Sequence, residues 1–370
     1  MRMYMTGWRA VIVCAFLCSV CSLSVFGQSE RTFYPVGAEV LQGRSKEMRN
    51  EISIGRLPSR LQGQVRDAVW NLGQNAAGIY VDFRTDADTI VVRYAVSGGL
   101  NMPHMPTTGV SGVDLYLKEA NTWRWAYGSY QFKDTIQYTF SNIGNNKTGV
   151  YRLYLPLYNT VKWLEIGVDK SQWFSFVDNK EKKAPIVVYG TSIAQGACVS
   201  RPGMAWTNIL GRSLNNEVIN LAFSGNGRLE QPVLDLIAQE DAAAYVLDCL
   251  PNLAVGPQRN EKQLDSLIVG AIKTIRVKHP QKPIVLTGHS SAFTPGFMNK
   301  ATLAEYEKST EVGKATFDRL IKEGNKNLYW LDSREIALDV NSTVDYAHPN
   351  DYGMNKIAQS YIRLLQKILK

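Results

Sequence analysis

Two periodicities divide the chain. In the first half, apolar and polar residues alternate over short runs at 79–83, 89–96, 113–118, 135–140, 150–155 and 161–168. A period of two sends successive side chains to opposite faces of a strand. Clusters at Gly98-Gly99, Gly109 and Gly144-Asn145-Asn146 supply the turns between them. Many short strands with turn signals at regular spacing predict an all-β sandwich, jelly-roll-like, over residues 28–180. The stretch 98–112, holding Met102-Pro103-His104-Met105-Pro106, has no periodicity and reads as a long loop, a kind often tied to function. Trp123 and Trp125 alternate as sandwich core residues do; stacking on sugar rings is their other use.

From residue 185 the pattern changes. Apolar runs at 185–189, 217–221, 244–247, 283–287 and 327–331 read as strands, and helical patterns lie between them. The clearest are Leu264, Leu267, Ile268, Ala271 and Ile275, then Leu303, Tyr306, Phe317, Leu320 and Ile321. The last is Met354, Ile357, Ala358, Tyr361, Leu365 and Ile368. Strands alternating with helices predict a parallel sheet covered on both faces, over residues 181–370. The charged run 178–183 has no apolar period and reads as the junction.

The amino end alters the picture of where the protein works. Arg2 and Arg9, with no acidic residue, precede an apolar run over 10–26, and small residues lead to Gln28. This is the pattern of a secretory signal peptide over residues 1–27. The run is shorter than the ~20 residues that span a bilayer, and Cys18 and Cys21 lack the small residues that precede a lipidated cysteine. The expectation is an exported chain, periplasmic or secreted, with no membrane span after cleavage. Of five cysteines, Cys198 and Cys249 then remain, too few for a disulfide scaffold. Both follow strand ends; a bond between them and two packed thiols fit equally. The formal charge of +8 drops by two with Arg2 and Arg9, and the remaining basic residues are dispersed except at Lys180, Lys182 and Lys183. Dispersed charge is a solvated surface, and no nucleic-acid motif is present, so no nucleic-acid partner is expected.

The candidate chemistry begins at Val187-Val188-Tyr189-Gly190-Thr191-Ser192-Ile193-Ala194-Gln195-Gly196, an apolar run that stops at a glycine, with helix expected from about Met204. A turn there carries Ser192 to the carboxyl edge of the sheet, as a nucleophile or as a simple cap. A nucleophilic serine needs a base, and beyond the signal the histidines are His104, His279, His289 and His348. His348 follows Asp345 by three residues, just before the last helix; alternatively Asp345 or Asp351 caps that helix. An oxyanion needs donors. The second strand ends in Ser224-Gly225-Asn226-Gly227 and the third in Leu250-Pro251-Asn252, ordinary turn residues when taken singly. His289 ends the fourth strand and could line a pocket, as could His104 from the long loop; His279, at a helix end, reads as a surface residue. No His, Cys and carboxylate cluster shows ligand spacing, so no metal is expected, and no cofactor.

Ser, Gly, Asn and Asp-x-x-His at successive strand ends make residues 185–370 resemble the SGNH hydrolases, the GDSL-type esterases. The resemblance implies a flavodoxin-like three-layer α/β/α fold with Ser192 as nucleophile, His348 as base and Asp345 as its orienter. It further implies an oxyanion hole from the Ser192 and Gly225 N–H groups and the Asn252 side chain. The chain departs from the family in reading Gly-Thr-Ser-Ile for Gly-Asp-Ser-Leu, and Pro251-Asn252-Leu253 for the usual Gly-x-Asn-Asp, which makes Asn226 a competitor of Asn252. Gly112-Val113-Asp114-Leu115-Tyr116 is similar to the G-x-D-L-Y signature of β-rich domains that precede SGNH domains in secreted bacterial proteins. By analogy the substrate is an acylated glycan or small ester, and the activity an esterase that removes acetyl or other small acyl groups from polysaccharide. The alternatives are a glycan-binding protein on an inactive hydrolase scaffold and an acyltransferase on the same fold.

Overall fold

The structure, a computed structural model, describes residues 30–120, 122–144, 148–177, 183–288 and 300–369. The signal-peptide reading of 1–27, most of the junction at 178–182, and His289 lie outside the described residues.

The alternating runs of the first half pair into two antiparallel sheets. One orders Arg31–Pro35, Val161–Asp169, Ile90–Val96, Ile136–Phe140 and Ser129–Gln131; the other orders Phe174–Phe176, Tyr80–Thr85, Val150–Tyr154, Asp114–Glu119 and Thr122–Ala126, with Leu41–Gln42 beside Tyr80–Thr85. Alternate residues of both, among them Val81, Phe83, Leu115, Tyr151, Leu153, Val92, Tyr94 and Ile166, meet in one buried core. The strands that the pattern misses, at Arg31–Pro35, Thr122–Ala126, Ser129–Gln131 and Phe174–Phe176, stand at sheet edges. There one side of the strand has no partner to impose an apolar face. The edge position also moves the tryptophans off the core. Trp125 is 48% exposed and Trp123 half-buried, and the Trp123 indole N–H donates to the Arg212 carbonyl at 3.2 Å.

Nor is the first half all strand or self-contained. A helix runs over Asp67–Gly73, and Leu57, Leu61, Val65 and Val69 are buried in one cluster with Leu229, Val233 and Leu236 of the second half. The four-residue spacing of Leu61, Val65 and Val69 is helical rather than period two. Arg56, fully buried, ties the same joint: its guanidinium donates to the carbonyls of Asn220, Ala222, Leu72 and Asn75. A buried cation is tolerable because four carbonyls accept from its five N–H groups, and burial still pushes it down to about 9.

In the second half five parallel strands are ordered Val218–Ala222, Ile186–Gly190, Ala244–Asp248, Ile284–Thr287 and Leu328–Leu331, the flavodoxin-like order. Tyr189, Leu221, Leu247 and Leu286 face the helices Gln231–Ile237, Glu261–Lys278 and Lys300–Lys322, while Val188, Val246 and Val285 face Trp206–Leu214 and Asp351–Ile368. Burial on both faces is why these strands read as continuous apolar runs. The helix expected from about Met204 runs over Trp206–Leu214, and an unexpected short helix precedes it. A short helix Ser192–Gln195 comes first, then a single turn at Pro202–Met204 leads into Trp206–Leu214.

The G-x-D-L-Y residues join the halves. Asp114 accepts from Arg201 Nη1 (2.7 Å), the Gly203 N–H (2.9 Å) and the Trp125 indole (2.6 Å), and the Arg201 guanidinium lies 4.3 Å over the Trp125 ring. Gly203 admits no side chain, because a Cβ there would stand 2.4 Å from the Tyr116 ring and 2.5 Å from the Asp114 carboxylate. The signature therefore fixes the loop that leads from Cys198 to the Trp206–Leu214 helix.

Candidate active site

The first strand ends at Gly190, and Thr191 turns the chain so that Ser192 opens the short helix Ser192–Gln195 at the carboxyl edge of the sheet. The second strand end is held against the first by the Phe223 N–H donating to the Gly190 carbonyl at 3.0 Å. Gln195, three residues after Ser192, extends this clamp. Its Oε1 accepts from the Ser224 N–H at 3.0 Å, and its Nε2 donates to the Leu157 carbonyl at 3.2 Å. Tyr158 donates its hydroxyl to the Ser192 carbonyl at 3.3 Å. Sequence reasoning missed Gln195 and Tyr158. The helical offset from Ser192 pointed to the first, and nothing local points to the second.

The last helix, Asp351–Ile368, delivers the other side of the site. Its cap is Asn350, whose side chain accepts from the Gly353 N–H, and Asp351 takes the Ser200 N–H and hydroxyl. Neither Asp345 nor Asp351 caps the helix, and Asp345 is left to the imidazole. Its Oδ2 lies 2.7 Å from His348 Nδ1, and its Oδ1 accepts from the backbone N–H groups of His348 (2.7 Å) and Ala347 (3.2 Å). Partial burial pushes the Asp345 carboxyl up, but the bonds from His348 outweigh it and hold the group below the usual carboxylate range. An ionised carboxylate only accepts, so Nδ1 holds the ring proton and Nε2 is free to accept. Nε2 lies 2.8 Å from Ser192 Oγ. Ser192, His348 and Asp345, which the sequence separates by up to 156 residues, thus form one unbroken line of hydrogen bonds.

The donor side gathers too. Gly225 has φ +68, a left-handed conformation that favours glycine. Its N–H and that of Ser192 have no protein acceptor among the described residues. Asn252 accepts from the Gly227 N–H through Oδ1 at 3.1 Å, and its NH₂ has no acceptor among the described residues. Its competitor Asn226 is engaged at both ends, donating to the Ser224 carbonyl at 2.8 Å and accepting from Arg66 at 2.7 Å.

The remaining calls divide. His104 is exposed, and its ring centroid stands 5.8 Å from that of His348. His279 is half-buried rather than a surface residue, its Nε2 3.0 Å from the Ala238 carbonyl. Cys198 and Cys249 are free thiols in the cores of opposite faces of the sheet, which rules out the bond between them. The fold also brings together a group that the sequence spacing did not show: ligand atoms of His104, Cys198, Asp345 and His348 all lie within 4.8 Å of one another. Sequence spacing could not show this, since the four come from three distant loops.

Beneath the site, Asp248 pairs in register with Gly190 and is completely buried, with neither oxygen hydrogen-bonded. Burial, opposed by the nearby Tyr361 hydroxyl, pushes its carboxyl up to about 7. A raised acid binds protons more tightly in the folded chain, so its stabilising form is complete below about pH 4 and is lost as pH rises toward 7. Asp248→Asn is expected to leave the melting temperature unchanged near pH 4. Above pH 7 it should raise stability by roughly 2–4 kcal/mol, read from thermal unfolding across pH; parallel curves for the two proteins would refute the assignment.

Comparison with known proteins places the chain in a family and a fold. Residues 182–366 match the GDSL-like lipase/acylhydrolase family model, and residues 33–174 match the model of the N-terminus of SGNH-hydrolase-type esterases. A protein described as a GDSL-like lipase from Bacteroides ovatus is 32% identical over 92% of this chain and 98% of its own, with TM-score 0.82. The salicylyl-acyltransferase SsfX3 of a tetracycline biosynthetic pathway shares the fold at 19% identity (91% of this chain, 94% of its own, TM-score 0.66). So does a family two carbohydrate esterase from Cellvibrio japonicus at 12% (92% and 99%, TM-score 0.55). No curated protein matches the chain. With its second half matched to the hydrolase model and nearly its whole length shared with the Bacteroides protein, the chain belongs to the GDSL-like lipase/acylhydrolase family, as a carboxylic ester hydrolase.

Proposed function

We propose that the chain is an exported serine esterase that removes acetyl or other small acyl groups from glycans through an acyl-enzyme. The observation that carries the reading is the continuous bond line from Ser192 Oγ through His348 to Asp345. His348 Nε2 takes the hydroxyl proton as Oγ bonds to the ester carbon, and Asp345 stabilises the imidazolium that forms. The oxyanion accepts from the Ser192 and Gly225 N–H groups and the Asn252 NH₂. His348 then returns the proton to the departing alcohol, and a water activated by the same nitrogen releases the acid and restores Ser192. His104, facing the imidazole from the long loop, contacts the substrate. Residues 28–180 and 181–370 are the two domains of this enzyme. Among the described residues no helix is long and apolar enough to cross a membrane.

An acceptor hydroxyl can replace water in the second step, and the likeness in fold to an acyltransferase motivates testing that reading. The experiment is a screen of acetylated polysaccharides for released acetate, with and without acceptor glycans. Acetate release that acceptors leave unchanged supports hydrolysis, and acylated acceptor in its place supports transfer. Inactivity on every acetylated glycan, with activity on simple esters, would remove the glycan from the proposal.

A further inference from the structure

We propose that His104, Cys198, Asp345 and His348 form a binding site for a thiophilic divalent cation of the zinc class, and that the bound cation switches the hydrolase off. The inhibition rests on the function proposed above; the binding does not.

The donor set is two imidazoles, a thiol and a carboxylate, the ligand types that zinc takes in tetrahedral sites. Their atoms lie within 4.8 Å of one another. A tetrahedral site with bonds of about 2.0–2.3 Å needs donors roughly 3.3–3.8 Å apart, so closure asks for about 1 Å of movement. The structure supplies an exposed partner on a turn and one held in a constrained backbone. His104 is exposed at the tip of a two-residue turn, between Met102 and Met105, whose backbones bond each other at 3.1 and 3.3 Å. Met105, buried in one cluster with Ile193 and Cys198, anchors that turn, and the exposed His104 imidazole stands beside the His348 ring. Cys198 is 6% exposed and held at φ +68, a left-handed conformation uncommon outside glycine. Backbone strain of that kind persists only when the surroundings fix it. Here those surroundings are the buried Ala197 and Val199 and the Ser200–Asp351 bonds.

The charge balance favours a dication. A coordinated thiol is deprotonated outright. Thiolate and Asp345 carboxylate then carry two negative charges, which a divalent cation neutralises, and one proton per cation leaves to solvent. Inhibition follows whichever nitrogen of His348 binds. Coordination through Nε2 removes the acceptor of the Ser192 proton. Coordination through Nδ1 breaks the Asp345 bond and moves the ring proton to Nε2, which then cannot accept.

Cobalt titration of the full chain tests binding directly. The expected result is the near-ultraviolet thiolate-to-cobalt charge-transfer band with the strong visible bands of tetrahedral cobalt. Both should be lost in Cys198→Ser and kept in Cys249→Ser, whose sulfur lies in the opposite core. Zinc should inhibit acetate-ester hydrolysis reversibly, with chelator restoring it and with weaker inhibition at lower pH, where protons compete. Cys198→Ser should melt as the wild type does, keep its basal rate and need at least about 10–100-fold more zinc for the same inhibition. His104→Ala should show the same loss of zinc affinity. Absence of the charge-transfer band in the wild type, or zinc inhibition unchanged by Cys198→Ser, would overturn the site. Absence of basal hydrolysis would instead count against the proposed function, and the cobalt band would still decide the binding.

Discussion

Ser192→Ala is expected to lower kcat/KM on a small acetate ester by about 10³–10⁶-fold, with little change in melting temperature. The serine is 6% exposed, and the bond that it loses ends on an imidazole that keeps its anchor to Asp345. Loss of the hydroxyl removes the atom that would form the acyl-enzyme. His348→Ala removes the proton acceptor instead, and because the two act in one step, the double variant should be no worse than the more damaged single one. The same comparison separates catalysis from mere glycan binding. A serine-directed phosphonate should label the wild type at Ser192 and leave Ser192→Ala unmodified. If the alanine variant retained a substantial share of the wild-type rate, or took up the label elsewhere with equal speed, the bond line would have to be reread as structural.

The parts of this site that were legible in the sequence are those governed by local rules. The five parallel strands were read to within a residue, because strands buried on both faces appear as apolar runs cut off by glycine or proline. Asp345 and His348 were read together because an acid three residues from an imidazole can turn back onto it within one loop. What escaped has no period to reveal it. Leu57 to Val69 complete the core of a sheet that starts more than a hundred residues later, and Arg56 bonds carbonyls at the tip of that sheet. The 98–112 segment was legible only as a loop. Its Met105 and Val110 enter the same buried cluster as Ile193, Ala197 and Val199, which is why His104 arrives beside His348. The tryptophans at 123 and 125 were misread as core because alternation specifies a strand and not its place in the sheet. At an edge strand both rings serve the joint between the halves.

That joint gives the departures in the family blocks a physical context. The third block lacks the glycine and the acid of the usual pattern, and Asn252 instead stands on a single turn, Leu250–Asn252, that closes the third strand. Its Oδ1 is fixed by the Gly227 N–H, so the amide cannot flip without losing that bond and its NH₂ keeps one direction. Asn252→Ala is therefore expected to lower kcat by about 10²–10³-fold with little effect on KM, the pattern of a donor that works only on the developing oxyanion. Asn252→Asp should be worse than alanine, since a carboxylate there repels the same charge. Asn226→Ala predicts the opposite division. Its amide is spent on Ser224 and Arg66, so the turn should lose stability while kcat stays near the wild type. Measuring kcat, KM and melting temperature for the two alanine variants side by side decides between them. A kcat loss confined to Asn226→Ala would transfer the oxyanion contact to the second strand end and leave Asn252 as a bracket for Gly227.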